Sequence, residues 1–389
     1  VNLAICHPVV VPARGGCETY VADLVRRLSA DGHAVHLYAS AWDAAALPAR
    51  VQVHPIPAKG WPRFLRPWRF SRACQEALRH ARHDLTLGFD KVAGVDVLYP
   101  QGGLHAASVR QGMLKCRNPL LRSLALAARG LDPAHRSFCR FERAQYCRPD
   151  APFTIVNSEM VRRHFQQHLG VPPGRVSVLR CAIDPGRFVA ADRPARRAAL
   201  RREWGVGPAD VVALLVAMNY RLKGMEPLLR AVARMPDRSR FRLVVLGHPR
   251  TAPHQRLARR LGVAGVVRFL GFQPDPRNAY FAADFLAHPT FYDPCSLVVQ
   301  EALACGLPVL TSRYNGAAEL LDPPHDGLVV RDPHDSAELA AGLSSFLDPA
   351  RRLAWAKASL RAAQRWTFAD HYRQFLKLLD EAARRKQAA

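Results

Sequence analysis

Lysine is scarce in this chain: of 56 basic residues only 7 are Lys and 49 are Arg. The nine cysteines are odd in number and never fall as Cys-x-x-Cys, which argues against a disulfide framework and a structural zinc motif. That usage fits a reducing cytosol. No apolar run reaches about 18 residues, so no segment reads as a bilayer-spanning helix. Asp-x-Asp is absent, and with it one common metal-binding carboxylate pair. Gly-x-Gly-x-x-Gly is absent too, which removes the dinucleotide fingerprint. There is no internal repeat of 20–50 residues and no low-complexity tract.

What remains is long and basic. The 389 residues carry a formal charge of +24, with 49% hydrophobic residues. That is too long for one core and suits two α/β domains. The charge favours an anionic partner: nucleic acid, a membrane surface or a phosphorylated ligand. Part of it is compositional, since an Ala- and Arg-rich chain fits GC-rich coding. Its distribution is more telling. Residues 51–150 hold 17 basic and 7 acidic side chains, whereas 301–350 hold 2 basic and 8 acidic.

Val1–Cys6 reads as a buried strand, followed by a Pro/Gly loop and a helix carrying Tyr20, Val21, Leu24, Val25 and Leu28 at helical spacing. Ala34–Tyr38 then resumes as a strand, which makes a right-handed β-loop-α-β unit. Further strands are predicted near 51–56, 84–88, 95–99 and 153–156. A second series starts with strand Val211–Met218 and helix Met225–Met235. It continues with strands at 242–246, 266–269 and 284–288, separated by helices at 254–261 and 276–283. The pattern predicts an α/β chain of two Rossmann-like, doubly wound parallel-sheet domains facing a central cleft. The expected domains are 1–185, 186–365 and a final amphipathic helix at 366–389 packing back on the first. The chain opens directly on a strand without a signal peptide, so a cytoplasmic protein is expected.

The chemistry concentrates between Pro289 and Leu310. A strand ends near His288, and Ser296 is placed to cap a helix that Gly306 and Pro308 terminate. The N–H groups of Leu297, Val298 and Val299 then offer a backbone anion site suited to a diphosphate. Asp293 precedes that helix and Glu301 lies one turn into it, both able to accept hydrogen bonds from sugar hydroxyls. Arg221 and Lys223 stand in a loop after a buried strand, where two cations can clamp a pyrophosphate and offset leaving-group charge. Gly15-Gly16 lets backbone approach a ligand closely. Cys17, Cys295 and Cys305 lie within these motifs but have no His or base beside them in sequence, which favours packing roles. His7 and His33 read as structural or surface residues.

In these motifs the chain resembles the family-4 retaining glycosyltransferases of the GT-B fold, and among them the lipopolysaccharide-core glucosyltransferase I type. The resemblance rests on Gly15-Gly16-Cys17-Glu18, Asp31–Val35, Leu87–Val97, Phe141-Glu142-Arg143-Ala144, Tyr220–Gly224, Leu270-Gly271-Phe272 and Asp293–Pro308, and so spans both halves. It implies that Glu301 binds the nucleotide ribose and that Asp293, one methylene shorter than the family's usual Glu, binds the donor sugar. Arg221 and Lys223 would hold the diphosphate, and Glu319 would mark a further helix start near the donor. Gln101 or His105 would stand for the family's N-domain histidine. The implied reaction is transfer of a hexose, glucose from UDP-glucose as first choice, with retained configuration. The implied acceptor is a lipid-linked saccharide, and exopolysaccharide or other glycan assembly is the alternative. No metal or other cofactor is expected, and the chain is expected to be a monomer.

Two segments suit an anionic membrane. Lys59–Phe70 interleaves Trp61, Arg63, Arg66, Trp68 and Arg69, and residues 113–126 place Lys115, Arg117 and Arg122 among leucines. The resemblance implies a peripheral location on the cytoplasmic face of the inner membrane. The rival from another class, charge-driven nucleic-acid binding, lacks any helix-turn-helix, RRM, KH or zinc signature. Further rivals are a GT-B sugar-nucleotide epimerase and a catalytically silent lipid-surface protein.

Overall fold

The computed structural model describes residues 1–57, 60–273 and 275–388. Lys59, the first residue of the basic–aromatic segment, lies outside them. The chain forms two compact units. The first comprises Val1–Met113, Asn118–Arg180 and the chain from His371 onward; the second comprises Leu114–Arg117 and Cys181–Asp370. The divisions thus fall at 180/181 and 370/371 rather than at 185/186 and 365/366, and residues 114–117 leave the first unit. Hydrogen bonds explain the shift. The Tyr99 hydroxyl donates to Leu179 O at 2.7 Å and His371 Nδ1 donates to Arg180 O at 2.7 Å, whereas Phe368 N donates to Ile183 O at 3.0 Å.

Unit 1 holds a seven-stranded sheet: β1 (Asn2–Cys6), β2 (Ala34–Ala39), β3 (Gln52–Pro55), β4 (Leu85–Phe89), β5 (Val97–Tyr99), β6 (Phe153–Val156) and β7 (Val176–Val178). Its order is β3-β2-β1-β4-β5-β6-β7, and every pairing is parallel. Unit 2 repeats the plan with β8 (Val211–Ala217), β9 (Phe241–Gly247), β10 (Val267–Gly271), β11 (Phe285–His288), β12 (Val309–Ser312) and β13 (Gly327–Val330), in the order β10-β9-β8-β11-β12-β13. Both are doubly wound sheets. The order reverses between β1 and β4 and again between β8 and β11, and ligands of such sheets bind outside the carboxyl ends of the strands at that switch.

The unbroken apolar run of β8 follows from burial on both faces. Ala213 and Leu215 enter the cluster containing Met225, Leu228 and Phe241, while Val212 and Leu214 face the cluster containing Tyr280, Val299 and Leu303. Each buried Leu contributes roughly 1.5–3 kcal/mol, so the strand anchors the loop that follows it. Phe285 stacks on Phe346 with ring centroids 4.0 Å apart, and Trp355 meets Phe346 edge-on. The last helix, Phe368–Gln387, buries His371, Tyr372, Phe375, Leu378, Leu379 and Ala382 at helical spacing. From His371 onward it belongs to unit 1, where Arg385 lies over the Phe153 ring and Lys386 Nζ reaches Asp96 at 3.0 Å.

Candidate active site

At the switch point of unit 2 the loops after β8 and β11 are tied together. The Asn219 side chain accepts from Leu222 N at 3.1 Å, and the Lys223 N–H donates to Asn219 O. Leu222 O accepts from Phe291 N at 2.9 Å and from the Thr290 hydroxyl at 3.1 Å. Gly224 fits because nothing larger can: its φ is +80°, and a Cβ would lie 2.0 Å from Pro289 O. Tyr220 closes the turn by donating to His248 O at 2.9 Å, and burial pushes its hydroxyl up to about 12.

The bridge these loops carry is ionic. Lys223 Nζ sits 2.5 Å from Asp293 Oδ2 and 3.3 Å from Tyr292 O. His288, the last residue of β11, is buried with its Nε2 3.5 Å from the same carboxylate oxygen. Burial opposes ionisation of Asp293, but the Lys223 ammonium and the imidazole outweigh it and hold the carboxyl far below its ordinary range. Burial also lowers His288, so its ring is neutral near pH 7. Asn315 fixes the surroundings. Its Oδ1 accepts from Ser296 N (3.3 Å) and Ala317 N (3.0 Å), and its Nδ2 donates to Thr311 Oγ1 (3.0 Å), which donates to His288 O. Asp293 is pinned through its backbone, with its N–H on Tyr314 O and its carbonyl accepting from Gly316 N.

The next helix spans Leu297–Ala304 and stops at Gly306, whose φ is +67°. Ser296 occupies the N-cap position, but its hydroxyl makes no capping bond, contrary to the sequence expectation. The serine is buried against the Asn315 amide, so its backbone rather than its side chain is engaged. Leu297 and Val298 are half-buried at the open end of this helix. Glu301, one turn in, accepts a 2.5 Å hydrogen bond from the buried Tyr280 hydroxyl. Burial raises its carboxyl, and the Tyr280 bond and the Arg187 charge oppose that rise. Arg221 is solvent-exposed and forms no ion pair among the described residues. Glu319 lies half-buried in the short turn Gly316–Leu320. The structure therefore joins Lys223 to Asp293 directly and sets Ser296, Leu297, Val298 and Glu301 on the following helix start.

In unit 1, Gly15 and Gly16 open the helix Gly16–Ala30 just after β1. His105 begins the helix His105–Gly112. Its N–H donates to the buried Glu142 carboxylate, and its Nε2 lies 3.0 Å from His135 Nδ1. Burial first, then Lys91 and His135, lower its ring to about 4, so it is neutral. Gln101 precedes it, its carbonyl accepting from the Asn157 amide. Among the basic and aromatic residues, Trp61 is 85% exposed, and Arg63 and Arg66 are exposed. Trp68 differs: its indole donates to Ser137 and its ring packs edge-on against Phe141. Arg69 donates to Trp61 O rather than reaching outward. Lys115 and Arg117 fall in the piece assigned to unit 2, while Arg122 lies on the helix Pro119–Leu131 of unit 1. That helix buries none of its residues, and Leu120, Leu121, Leu124 and Leu131 are exposed.

Sequence reasoning passed over His288, Tyr280 and Asn315. Each was legible only as part of a buried strand, a short helix or a turn, since their roles depend on neighbours 5 to 23 positions away. It also gave Cys17 a packing role, whereas folding brings His7 and Asp90 to the sulfur.

Two doubly wound parallel-sheet units are the architecture of the GT-B glycosyltransferases, and similarity to known proteins agrees. Residues 14–187 match the Glycosyltransferase Family 4 profile, and residues 209–348 match the Glycosyl transferases group 1 profile. The chain belongs to glycosyltransferase family 4. It is 26% identical over 346 residues to the lipopolysaccharide glucosyltransferase WaaG of Escherichia coli (strain K12), covering 88% of this chain and 89% of that one. It is 31% identical over 372 residues to D-inositol 3-phosphate glycosyltransferase 2 of Catenulispora acidiphila, covering 87% and 83%. The crystal structure of WaaG superposes with a TM-score of 0.78 over 98% of both chains. Anabaena HepE, solved in complex with UDP-glucose, shares the fold at a TM-score of 0.73 and 18% identity over 98% of this chain and 99% of that one. Among the described residues, no helix is long and apolar enough to cross a membrane.

Proposed function

We propose that this glycosyltransferase moves glucose from UDP-glucose to a lipid-linked saccharide of the lipopolysaccharide-core kind, with retention and without a metal at the diphosphate. The observation that carries the reading is the Lys223–Asp293 pair at the switch point, followed by the uncapped start of the 297–304 helix. Lys223 and the exposed Arg221 supply positive charge where a leaving diphosphate needs it, and the free N–H groups of Leu297 and Val298 add a dipole of the same sign. Glu301 accepts from the ribose hydroxyls, and Asp293, kept ionised by Lys223, accepts from a sugar hydroxyl. Glu319 completes the donor contacts of unit 2. In the transfer, the bond from the anomeric carbon to the phosphate oxygen breaks. A bond to the acceptor oxygen forms on the same face, and the acceptor proton passes to the departing phosphate.

The choice of glucose follows WaaG, a lipopolysaccharide glucosyltransferase, and HepE, which was solved with UDP-glucose. The lipid-linked acceptor is supported by the exposed leucines of the 119–131 helix, and by an open groove of 580 Å³ lined by Phe64, Leu65, Trp68, Arg136 and Arg140. Trp61, Arg63, Arg66 and Arg122 would meet the headgroups of an anionic cytoplasmic leaflet. His105, held neutral, is the candidate N-domain histidine. The inositol-phosphate glycosyltransferase relative favours a second reading, in which the acceptor is a small phosphorylated polyol. Transfer of labelled glucose to a truncated lipopolysaccharide core, set against transfer to inositol phosphate, separates the two. Label entering only the lipid-linked product supports the first reading, and label entering only the polyol overturns it.

A further inference from the structure

At the switch point of unit 1, three side chains from separate parts of the chain converge. His7 follows β1, Cys17 lies in the first turn of the helix Gly16–Ala30, and Asp90 follows β4. Cys17 Sγ is 3.8 Å from His7 Nε2 and 3.7 Å from Asp90 Oδ2, and the three donor atoms all lie within 4.8 Å of one another. We infer that His7, Cys17 and Asp90 form a binding site for a borderline-soft divalent cation, Zn²⁺ or an ion of similar preference.

The donor set and its spacing carry the inference. Thiolate, imidazole and carboxylate are the ligand types zinc takes, at about 2.3 Å for sulfur and about 2.0–2.2 Å for nitrogen and oxygen. Tetrahedral angles at those lengths separate the ligand atoms by roughly 3.5 Å, so the two gaps to the sulfur close with movements of a few tenths of an ångström, and the His7 and Asp90 donor atoms lie within 4.8 Å of each other. Both partners converge on the sulfur. A nucleophile relay would instead have the carboxylate orient the far nitrogen of the imidazole, as in hydrolase triads. Here Asp90 Oδ2 faces Cys17 instead.

The surroundings hold the donors in place. Asp90 adopts a left-handed backbone with φ +56°, uncommon for a residue other than glycine. Gln145 Nε2 donates to its carbonyl at 3.0 Å, and Gly102 N–H occupies Oδ1 at 2.9 Å, which leaves Oδ2 toward the sulfur. His7 is only 5% exposed, its N–H bonded to Tyr38 O and its ring edge-on to Phe89. Cys17 and Asp90 are half-exposed, so an ion can enter from solvent. Binding replaces the thiol proton of Cys17, which leaves to solvent, with a metal–sulfur bond. Three protein ligands leave a fourth position for water or an anionic oxygen. The positions 7, 17 and 90 are too far apart in sequence to form a recognisable motif, which is why the cysteine count alone argued against a zinc site.

The test uses the full chain, stripped of metal, titrated with Zn²⁺ against a chromophoric chelator and with Co²⁺ by absorption. One equivalent of Zn²⁺ and a thiolate-to-cobalt charge-transfer band are expected. Cys17→Ser should abolish the band, and Asp90→Asn, which suits the left-handed backbone, should weaken Zn²⁺ binding at least about ten-fold. Circular dichroism of both metal-free variants checks the fold, and Asp90→Asn decides the matter if Cys17→Ser does not fold. A band that survives in Cys17→Ser, unchanged Zn²⁺ affinity in Asp90→Asn, or no saturable binding by the parent chain would each overturn the site. These readouts do not depend on the proposed transferase reaction, so failure of one leaves the other standing.

Discussion

Lys223 and Asp293 each need the other. A buried carboxylate without its cation is costly, and a cation this close keeps Asp293 ionised across the whole physiological range. Lys223→Met should therefore raise the Asp293 carboxyl sharply, which carboxyl-labelled NMR titration would read as a shift upward. Glu301 behaves in the opposite sense. Burial raises its carboxyl, so it takes up a proton at a higher pH than an exposed glutamate. The proposed ribose contact needs the ionised form. Nucleotide affinity should therefore fall as pH drops through the raised Glu301 value, and Glu301→Gln should flatten that dependence while weakening binding about 10- to 100-fold. Calorimetric titration of UDP across a pH series checks both. Burial lowers His288, so it contributes no charge change near pH 7.

The loops and helix ends follow from element-scale constraints. Gly224 combines a positive φ with backbone contact to Pro289, so Gly224→Ala must strain or displace the Lys223 loop. A loss of about 1–3 kcal/mol in stability is expected, seen as a lower midpoint in urea, together with loss of nucleotide binding. The 119–131 helix makes a different prediction. Because none of its residues is buried, Leu121→Ser with Leu124→Ser should leave the melting temperature unchanged and reduce co-sedimentation with anionic vesicles. Equal sedimentation of parent and variant would remove this helix from the membrane reading. At this scale the sequence was a good guide. The apolar run of β8 and the Ser296-to-Gly306 punctuation placed the strand and the helix correctly. The cap was misjudged because nothing local to Ser296 shows that Asn315, 19 positions on, takes its backbone N–H.

Across the whole molecule, one topological rule accounts for where the chemistry lies. Two sheets of the same strand order each reverse once, and each reversal gathers polar side chains at strand carboxyl ends: His7, Cys17 and Asp90 in unit 1, Lys223 and Asp293 in unit 2. Alternating strand and helix patterns were enough to read ten of the thirteen strands in the two sheets, but not β7, β12 or β13. The motif at 293–308 was enough to single out the candidate donor residues, because they are close in sequence. The His7–Cys17–Asp90 cluster was not legible, since its members are joined only by the pairing of β1 with β4. The division at 180/181 was missed for the same reason: it depends on Arg180 meeting His371, 191 positions away.

The central claim is that unit 2 binds a nucleotide sugar through Lys223 and Glu301. It is tested most directly by measuring UDP-glucose binding and glucose transfer for the parent chain and for Lys223→Ala, with folding checked by circular dichroism. Saturable binding by the parent in the presence of a chelator is expected, with a fall in transfer of about 100- to 1,000-fold in the folded variant. A folded Lys223→Ala that binds and transfers like the parent would contradict it.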